Sequence, residues 1–261
     1  MVKIKKTPHR GKAAIPLVKK AVPKNTPSSK NKLSPKNRIK HTLPLIYLVV
    51  AIFALRWTIV EPFVVPTGSM EPTLKPGDRL YALKCAYTLR FPFTEWVLFQ
   101  IRNVKRGDVI LFRNPQDPSI TFVKRAIGLP GDTIDYENGV LFVNGKEVPR
   151  ELAPNRDIMY DISRKEDKSL YLETLHQKKH YLILDNSINE NRVYQELEMG
   201  FRHVVVPTGH LFAVGDNRDN SYDSRAWGFV PIQNLKGQAM FIWFSSWHWK
   251  VRPERIGTVI Q

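Results

Sequence analysis

One apolar run, LPLIYLVVAIFALRWTIV from Leu43 to Val60, limits what this chain can fold into more than any other stretch. As a helix, a run of that length spans about 27 Å, close to the thickness of a bilayer core. Arg56 is its only charge. Beside Trp57 it suits a membrane interface, where a guanidinium snorkels towards water and an indole joins the aromatic belt. A buried core helix is the alternative, and the dense positive charge just upstream argues against it. A cleavable signal peptide fits poorly, because the basic region before the run is too long. The reading is one transmembrane helix over residues 43–61.

Charge is distributed unevenly around that run. Of 40 Lys and Arg, 14 precede Glu61, and no Asp or Glu does; from Glu61 onward 26 basic residues face 24 acidic ones. The basicity therefore belongs to the first sixty residues. Residues 1–42 are rich in Lys, Pro, Ser and Asn and show almost no apolar periodicity. Such a segment buries too little apolar surface to offset its ordering entropy, so a disordered basic tail is expected. By the positive-inside rule the tail is cytoplasmic and the rest lies outside. Lysines would suit nucleic-acid phosphates, but the tail has no aromatic residue for base stacking, and no nucleic-acid partner is expected. An organelle transit peptide is disfavoured by Lys in place of Arg and by the missing amphipathic period. Cys85 is the single cysteine, which excludes an internal disulfide.

Past Pro66 the pattern changes to short β-type runs separated by turn residues. They are Asp78 to Leu83, Asp108 to Phe112, Thr121 to Ile127, Val140 to Val143, Arg202 to Val206, His210 to Val214 and Gln238 to Phe244. Thr133 to Val148 reads as a hairpin turning at Asn138-Gly139. The polar stretch 150–202 has few turn signals. The fold class expected is mainly β: an antiparallel β-sheet core domain over 62–132 and 208–261, an inserted peripheral β-rich lobe over 133–207, and one transmembrane helix in front.

Three stretches carry reactive residues. In Pro66-Thr67-Gly68-Ser69-Met70-Glu71-Pro72 two prolines stiffen the loop around Ser69, a candidate nucleophile. In Phe122-Val123-Lys124-Arg125-Ala126-Ile127 a lysine sits inside a β-type run, where neighbouring side chains point to opposite faces. Either Lys124 faces the core and Arg125 water, or the reverse. Arginine is the harder to bury, so Lys124 is expected inward and Arg125 solvated. A buried lysine is costly when charged, so its pKa falls and it can serve as a base. From Gly215 to Gly228 the chain is dense in Asp, Asn and Ser, which fix irregular loops through backbone bonds. Asp223 and Arg225 are placed there to form an ion pair. The EF-hand spacing is absent, and two arginines oppose a cation.

A serine hydroxyl attacks an amide only with an adjacent base. No Gly-x-Ser-x-Gly surrounds Ser69. Among His176, His180, His203, His210 and His248 none has a recognisable triad setting, although spacing alone leaves a Ser-His site open. His176 and His180 are four apart, as helix-borne metal ligands can be, but Lys178 and Lys179 crowd them and no third ligand is seen. Both are read as solvated surface, and no metal is expected.

Together the three stretches resemble the signature boxes of the type I signal peptidases, membrane-bound Ser-Lys enzymes that remove signal peptides from exported proteins. Arg106-Gly107-Asp108-Val109-Ile110 resembles a further box, and Arg255-Ile256-Gly257 the family's ending. The likeness runs from about Leu43 to Gly257, apart from 150–202. It implies Ser69 as nucleophile, Lys124 as general base and Ser221 as the hydroxyl that fixes the lysine. It further implies an oxyanion held by the Ser69 amide and the Thr67 hydroxyl, and a structural Asp223–Arg225 pair. Shallow apolar pockets would come from Phe63, Val65, Met70, Leu74, Phe122 and Val123, favouring cleavage after small residues of an Ala-x-Ala-like motif. No metal or organic cofactor is implied. The partners implied are preprotein signal peptides and the lipid bilayer, with the translocation machinery as a further one. The implied location is the bacterial cytoplasmic membrane, with a single span and the catalytic domain on the extracytoplasmic face.

Two rivals remain at this level. A self-cleaving Ser-Lys repressor would need a soluble helix-turn-helix module where the apolar run lies. A non-catalytic membrane-anchored β scaffold would tolerate loss of the Ser69 hydroxyl and the Lys124 amine.

Overall fold

The computed structural model describes residues 35–91, 94, 96–137, 139–186 and 203–261, with the side chains of 35–42, Leu55 and Trp57 outside the description. Most of the basic tail (1–34), the turn residue Asn138, the pairing of Arg56 with the Trp57 indole, and the lobe segment 187–202 therefore lie outside the described residues. In chain order the elements are α1 (Pro35–Ile59), β1 (Val60–Val64), β2 (Asp78–Leu83), β3 (Thr88–Arg90), β4 (Val97–Gln100), β5 (Val109–Arg113), β6 (Thr121–Gly128), β7 (Thr133–Glu137), β8 (Val140–Val143), β9 (Lys146–Glu147), β10 (Arg150–Leu152), β11 (Lys168–Leu175), β12 (Lys178–Asp185), β13 (Val204–Val205), β14 (His210–Val214), α2 (Ser224–Trp227), β15 (Val230–Pro231), β16 (Leu235–Trp247) and β17 (Lys250–Val251).

Two compact units divide the chain, 1–46 and 47–261. The first contributes only the start of α1 to the description. That helix begins at Pro35, upstream of the apolar run; a proline suits the first turn, where its missing N–H costs no helical bond. Leu45, Ile46, Tyr47, Leu48, Val50, Ile52 and Phe53 expose their side chains. Among the described residues no helix is long and apolar enough to cross a membrane.

The second unit is mainly β and its strands pair antiparallel. Its largest sheet has the order β1-β2-β16-β5-β6-β14-β15, with β17 added to β16. The long β16 pairs with β2 and β5 through register shifts, which bend a strand and increase its twist. Gly237 permits a close approach to β2, since a Cβ there would lie 2.6 Å from the Leu83 carbonyl oxygen. Residues 133–207 build two smaller sheets, β13-β7-β8-β9 and β10-β11-β12. Leu175, Ile134 and Val206 of this lobe pack with Ile127, Phe212 and Val214 of the large sheet.

β6 lies between β5 and β14, and every residue from Val123 to Gly128 is buried. This corrects the expectation that Arg125 is solvated: it is fully buried, more so than Lys124. The alternation argument assumes one wet face, and here both faces are covered. Phe122 and Ala126 pack in one apolar cluster, Val123 and Ile127 in two others. The guanidinium is compensated by a two-pronged pair with Asp216 at 2.8 and 2.7 Å, and by the carbonyls of Gly107 and Gln261. Paired in this way, an arginine tolerates burial that an isolated charge would not.

Candidate active site

Ser69 sits in a single 3-10 turn, Gly68–Met70, on the loop between β1 and β2. Met70 and Leu74 anchor that loop in the core with Val65, Leu80 and Val123. Ser69 itself is 8% exposed and faces a cavity of about 750 Å³. Phe63 from β1, Ile120, Phe122 and Val123 from the β6 side, and Ser221 and Tyr222 from the third polar stretch line it. Of the six expected pocket residues, Phe63, Phe122 and Val123 reach this cavity. Val65, Met70 and Leu74 are buried in the cluster instead and are absent from its lining.

Lys124 projects from β6 so that its Nζ is hydrogen-bonded to Ser69 Oγ. The side chain is only 4% exposed, and among the described residues no carboxylate pairs with it. Burial is the main cause that brings its pKa down to about 8. Asp223 and Asp216 oppose the shift from a distance, and Arg225 adds to it. Each of those carboxylates is already engaged, Asp223 by Arg225 and Asp216 by Arg125. Lys124 is therefore left with a hydroxyl as its contact and little to hold its proton.

The third stretch shapes the floor of the site. A Cβ on Gly215 would lie 2.4 Å from the Ser69 carbonyl oxygen and 2.2 Å from Ser221 Oγ, so only glycine fits. The Gly215 amide donates to Asp223 Oδ2 at 2.9 Å, while Asp223 meets the Arg225 Nε and Nη2 at 2.9 Å each. Burial alone would raise the Asp223 pKa, but the Arg225 guanidinium holds it below the usual carboxylate range. Ser221 Oγ is buried beside the cavity, within reach of the Asp223 carboxylate, and among the described residues it makes no hydrogen bond to Lys124. Thr67 is exposed, with Oγ1 3.5 Å from Ser69 Oγ.

Sequence reasoning missed the clamp on the serine loop. The Asn217 amide donates to the Ser69 carbonyl at 3.1 Å, and its Nδ2 to the Gly68 carbonyl at 3.0 Å and Glu71 Oε2 at 3.1 Å. Next to it, Asp216 accepts from Thr73 Oγ1 at 2.6 Å. Two consecutive residues of one loop thus hold four positions of the other. The partners lie more than 140 positions apart in sequence, and only the density of Asn and Asp in the third stretch pointed towards them.

His180 also departs from expectation. It is buried on β12 opposite Glu173 of β11, with Nε2 3.2 Å from Glu173 Oε2, and is not a solvated residue. The two histidines lie on a β-hairpin: His176 forms its turn and, of the pair, only His176 has the exposure expected for both. Burial, with Arg125 nearby, pushes the His180 pKa down. Among the described residues no cluster of His, Cys, Asp and Glu suits a metal ion.

Known proteins share this chain's pattern. A family model described as signal peptidase, peptidase S26, matches residues 38–244. Signal peptidase I of Buchnera aphidicola subsp. Acyrthosiphon pisum is 36% identical over 247 residues, covering 81% of this chain and 79% of the relative. Signal peptidase I of Pseudomonas aeruginosa is 36% identical over 217 residues, covering 79% and 71%. A crystal structure of a signal peptidase I from Enterococcus faecalis V583 is 27% identical, covers 53% of this chain and 97% of that chain, and gives a TM-score of 0.32.

Proposed function

The chain belongs to the signal peptidase family, peptidase S26, and from that premise we propose that Ser69 and Lys124 are the nucleophile and general base with which this serine peptidase removes signal peptides. The observation that carries the assignment is the contact between Ser69 Oγ and a buried Lys124 Nζ whose pKa is brought down to about 8. A free lysine, at about 10.4, would be neutral in only about one molecule in a thousand near neutral pH. The buried one is a usable base at ordinary pH.

In the proposed cycle Ser69 Oγ attacks the scissile carbonyl and passes its proton to the neutral Lys124 Nζ. The Ser69 amide and the Thr67 hydroxyl receive the charge that develops on the carbonyl oxygen. The lysine then gives its proton to the leaving amine, and the acyl group stays on Ser69. A water that loses its proton to Lys124 attacks the ester, and the proton returns to Ser69 as the acid leaves. Ser221, whose buried hydroxyl borders the cavity, would hold the amine between these steps. The Asp223–Arg225 pair keeps the Ser221 loop in shape. Phe63, Phe122 and Val123 offer a shallow apolar wall that suits a small residue before the cut.

Membrane anchoring by a single span over 43–61 is part of the same proposal, supported by the exposed apolar side chains from Leu45 to Phe53. The basic tail would then lie on the cytoplasmic side and the β unit on the extracytoplasmic face of a bacterial cytoplasmic membrane, meeting preproteins as they leave the translocation machinery. The deciding experiment incubates detergent-solubilised protein with one preprotein and sequences the new N-terminus. Cleavage after an Ala-x-Ala-like motif is expected. Ser69→Ala should abolish it while leaving the protein folded, and turnover at the same bond by that variant would remove Ser69 from the chemistry.

A further inference from the structure

The lobe meets the stretch that clamps the serine loop through its hairpin β11–β12. The Ile183 amide donates to the Asp216 carbonyl at 2.9 Å, and the Asp185 amide to Asp219 Oδ2 at 2.7 Å. Between these two bonds the Arg218 side chain leaves the stretch and enters the lobe. Its Nη1 and Nη2 donate to Glu173 Oε1 and Oε2 of β11 at 3.2 and 2.6 Å, and both side chains are 1% exposed. Glu173 Oε2 also lies 3.2 Å from His180 Nε2. The Arg218 carbonyl accepts from Arg225 Nη2, part of the guanidinium that pairs with Asp223. Arg218 directly follows Asn217, whose amide donates to the Ser69 carbonyl at 3.1 Å.

We propose that Glu173 is a positioning residue for the cleavage reaction: through Arg218 it sets the place of the Asn217 clamp, and so the aim of Ser69 at Lys124. The inference rests on the Ser69–Lys124 reading above. A buried ion pair is a weak source of stability, because taking both charges out of water costs about what their attraction returns. What this pair supplies is direction. Two parallel bonds between guanidinium and carboxylate fix both the plane and the distance of the arginine. Burial alone would raise the Glu173 pKa, but the Arg218 guanidinium brings it down to about 2. Glu173 is therefore ionised wherever Lys124 works as a base, and the pair does not itself titrate with the reaction.

Preprotein cleavage by the full chain in detergent tests it, read beside denaturant unfolding and hydrogen exchange of residues 66–74. The main variant makes the pair apolar, Glu173→Leu with Arg218→Met. Its unfolding midpoint should match or exceed the wild type, as buried pairs replaced by apolar residues do. Its kcat should fall roughly ten- to a hundredfold with KM within about twofold, the size of a small misplacement of reacting groups. Amides of 66–74 should exchange faster. The acid limb of the rate should stay near pH 8, because the aim of the serine changes and the lysine's burial does not. Leu141→Ala opens a cavity in the lobe's other sheet, and should lower the midpoint while kcat per folded molecule holds. Wild-type kcat in the double variant, unchanged exchange of 66–74, a displaced acid limb, or an equal fall in Leu141→Ala would each overturn the assignment. If the double variant melts early, Arg218→Lys is read in its place. It keeps the charge and loses the two-pronged bond, and should show the same fall in kcat in smaller measure. A wild type that cuts no preprotein overturns the Ser69–Lys124 reading instead. Exchange of 66–74 needs no turnover and judges the tie from Glu173 by itself.

Discussion

Among the described residues two lysines are almost fully buried, and they do opposite things. Lys124 touches Ser69 and, among the described residues, no carboxylate, and burial brings its pKa to about 8. Lys75, 1% exposed, contacts Asp161 and the Ile158 carbonyl, and its Nζ sits 4.5 Å from the centre of the Tyr160 ring. Burial lowers its pKa too, but Asp161 works against the shift. Asp161 in turn accepts from Arg252, which shares Asp78 with Arg255. Lys75 therefore ties the serine loop, the lobe and the 252–255 segment together. Burial alone does not make a lysine a base; burial with the carboxylates kept at arm's length by arginines does.

The largest effect that could break this contrast is at Lys124. Lys124→Arg keeps a charge that cannot be given up and should lower kcat/KM by about a thousandfold or more, within the range of lost general-base catalysis. The wild type should lose activity as pH falls through about 8, where the amine takes up a proton. A rate that climbs only above the ordinary lysine range, or near-normal turnover by Lys124→Arg, would break the assignment.

Next comes Asp161→Ala. It leaves Lys75 buried without its carboxylate and removes a partner of Arg252, so a loss of about 3 kcal/mol is expected in denaturant unfolding. Preprotein turnover per folded molecule should stay within a few-fold. A large fall in kcat without a change in unfolding midpoint would mean the two lysines are not separate in function.

Smaller again is Asn217→Asp, which sets a carboxylate against the Gly68 carbonyl and Glu71. About a tenfold fall in kcat with little change in KM is expected, and Glu71→Gln in the same chain should restore part of it by supplying an amide where the carboxylate stood. No rescue would leave Asn217 as an ordinary structural residue.

These contrasts were only partly legible in the sequence. β2, β8 and β14 have the limits their alternation and turn residues suggested, because each is short and opens directly after a glycine, Gly77, Gly139 and Gly209. The hairpin β11–β12 was hidden because its turn uses His176 in the left-handed region, at φ 60, where glycine or asparagine is the usual sign. Arg125 was misplaced because period-two reasoning needs one solvated face, and β6 has none. Motif density drew attention to Ser69, Lys124 and the Asp223 loop. The buried charges that surround them could not be read this way, because Arg125–Asp216 and Arg255–Asp78 join residues 91 and 177 positions apart.

The finest test of the contrast is thermodynamic. A lysine whose folded pKa is depressed binds fewer protons native than unfolded over the interval between its two pKa values. For Lys124 that interval runs from about 8 to the ordinary value of 10.5. Below it both states are protonated and the native state bears the full cost of the buried charge. Through it stability rises with pH, and above it the cost is gone. Lys124→Met removes the charge while keeping much of the volume, so the inactive variant should be more stable than the wild type at neutral pH. The gain should be about 2 kcal/mol, less than the full linkage because the bond to Ser69 is lost as well. The advantage should shrink as pH rises from 8 to 10. Lys75→Met should show no such gain, because Asp161 loses one of its two cationic partners. A Lys124→Met variant that is less stable than wild type at neutral pH, with a difference that does not change with pH, would mean that Lys124 is held as a contented ammonium, and the proton acceptor for Ser69 would have to be sought elsewhere.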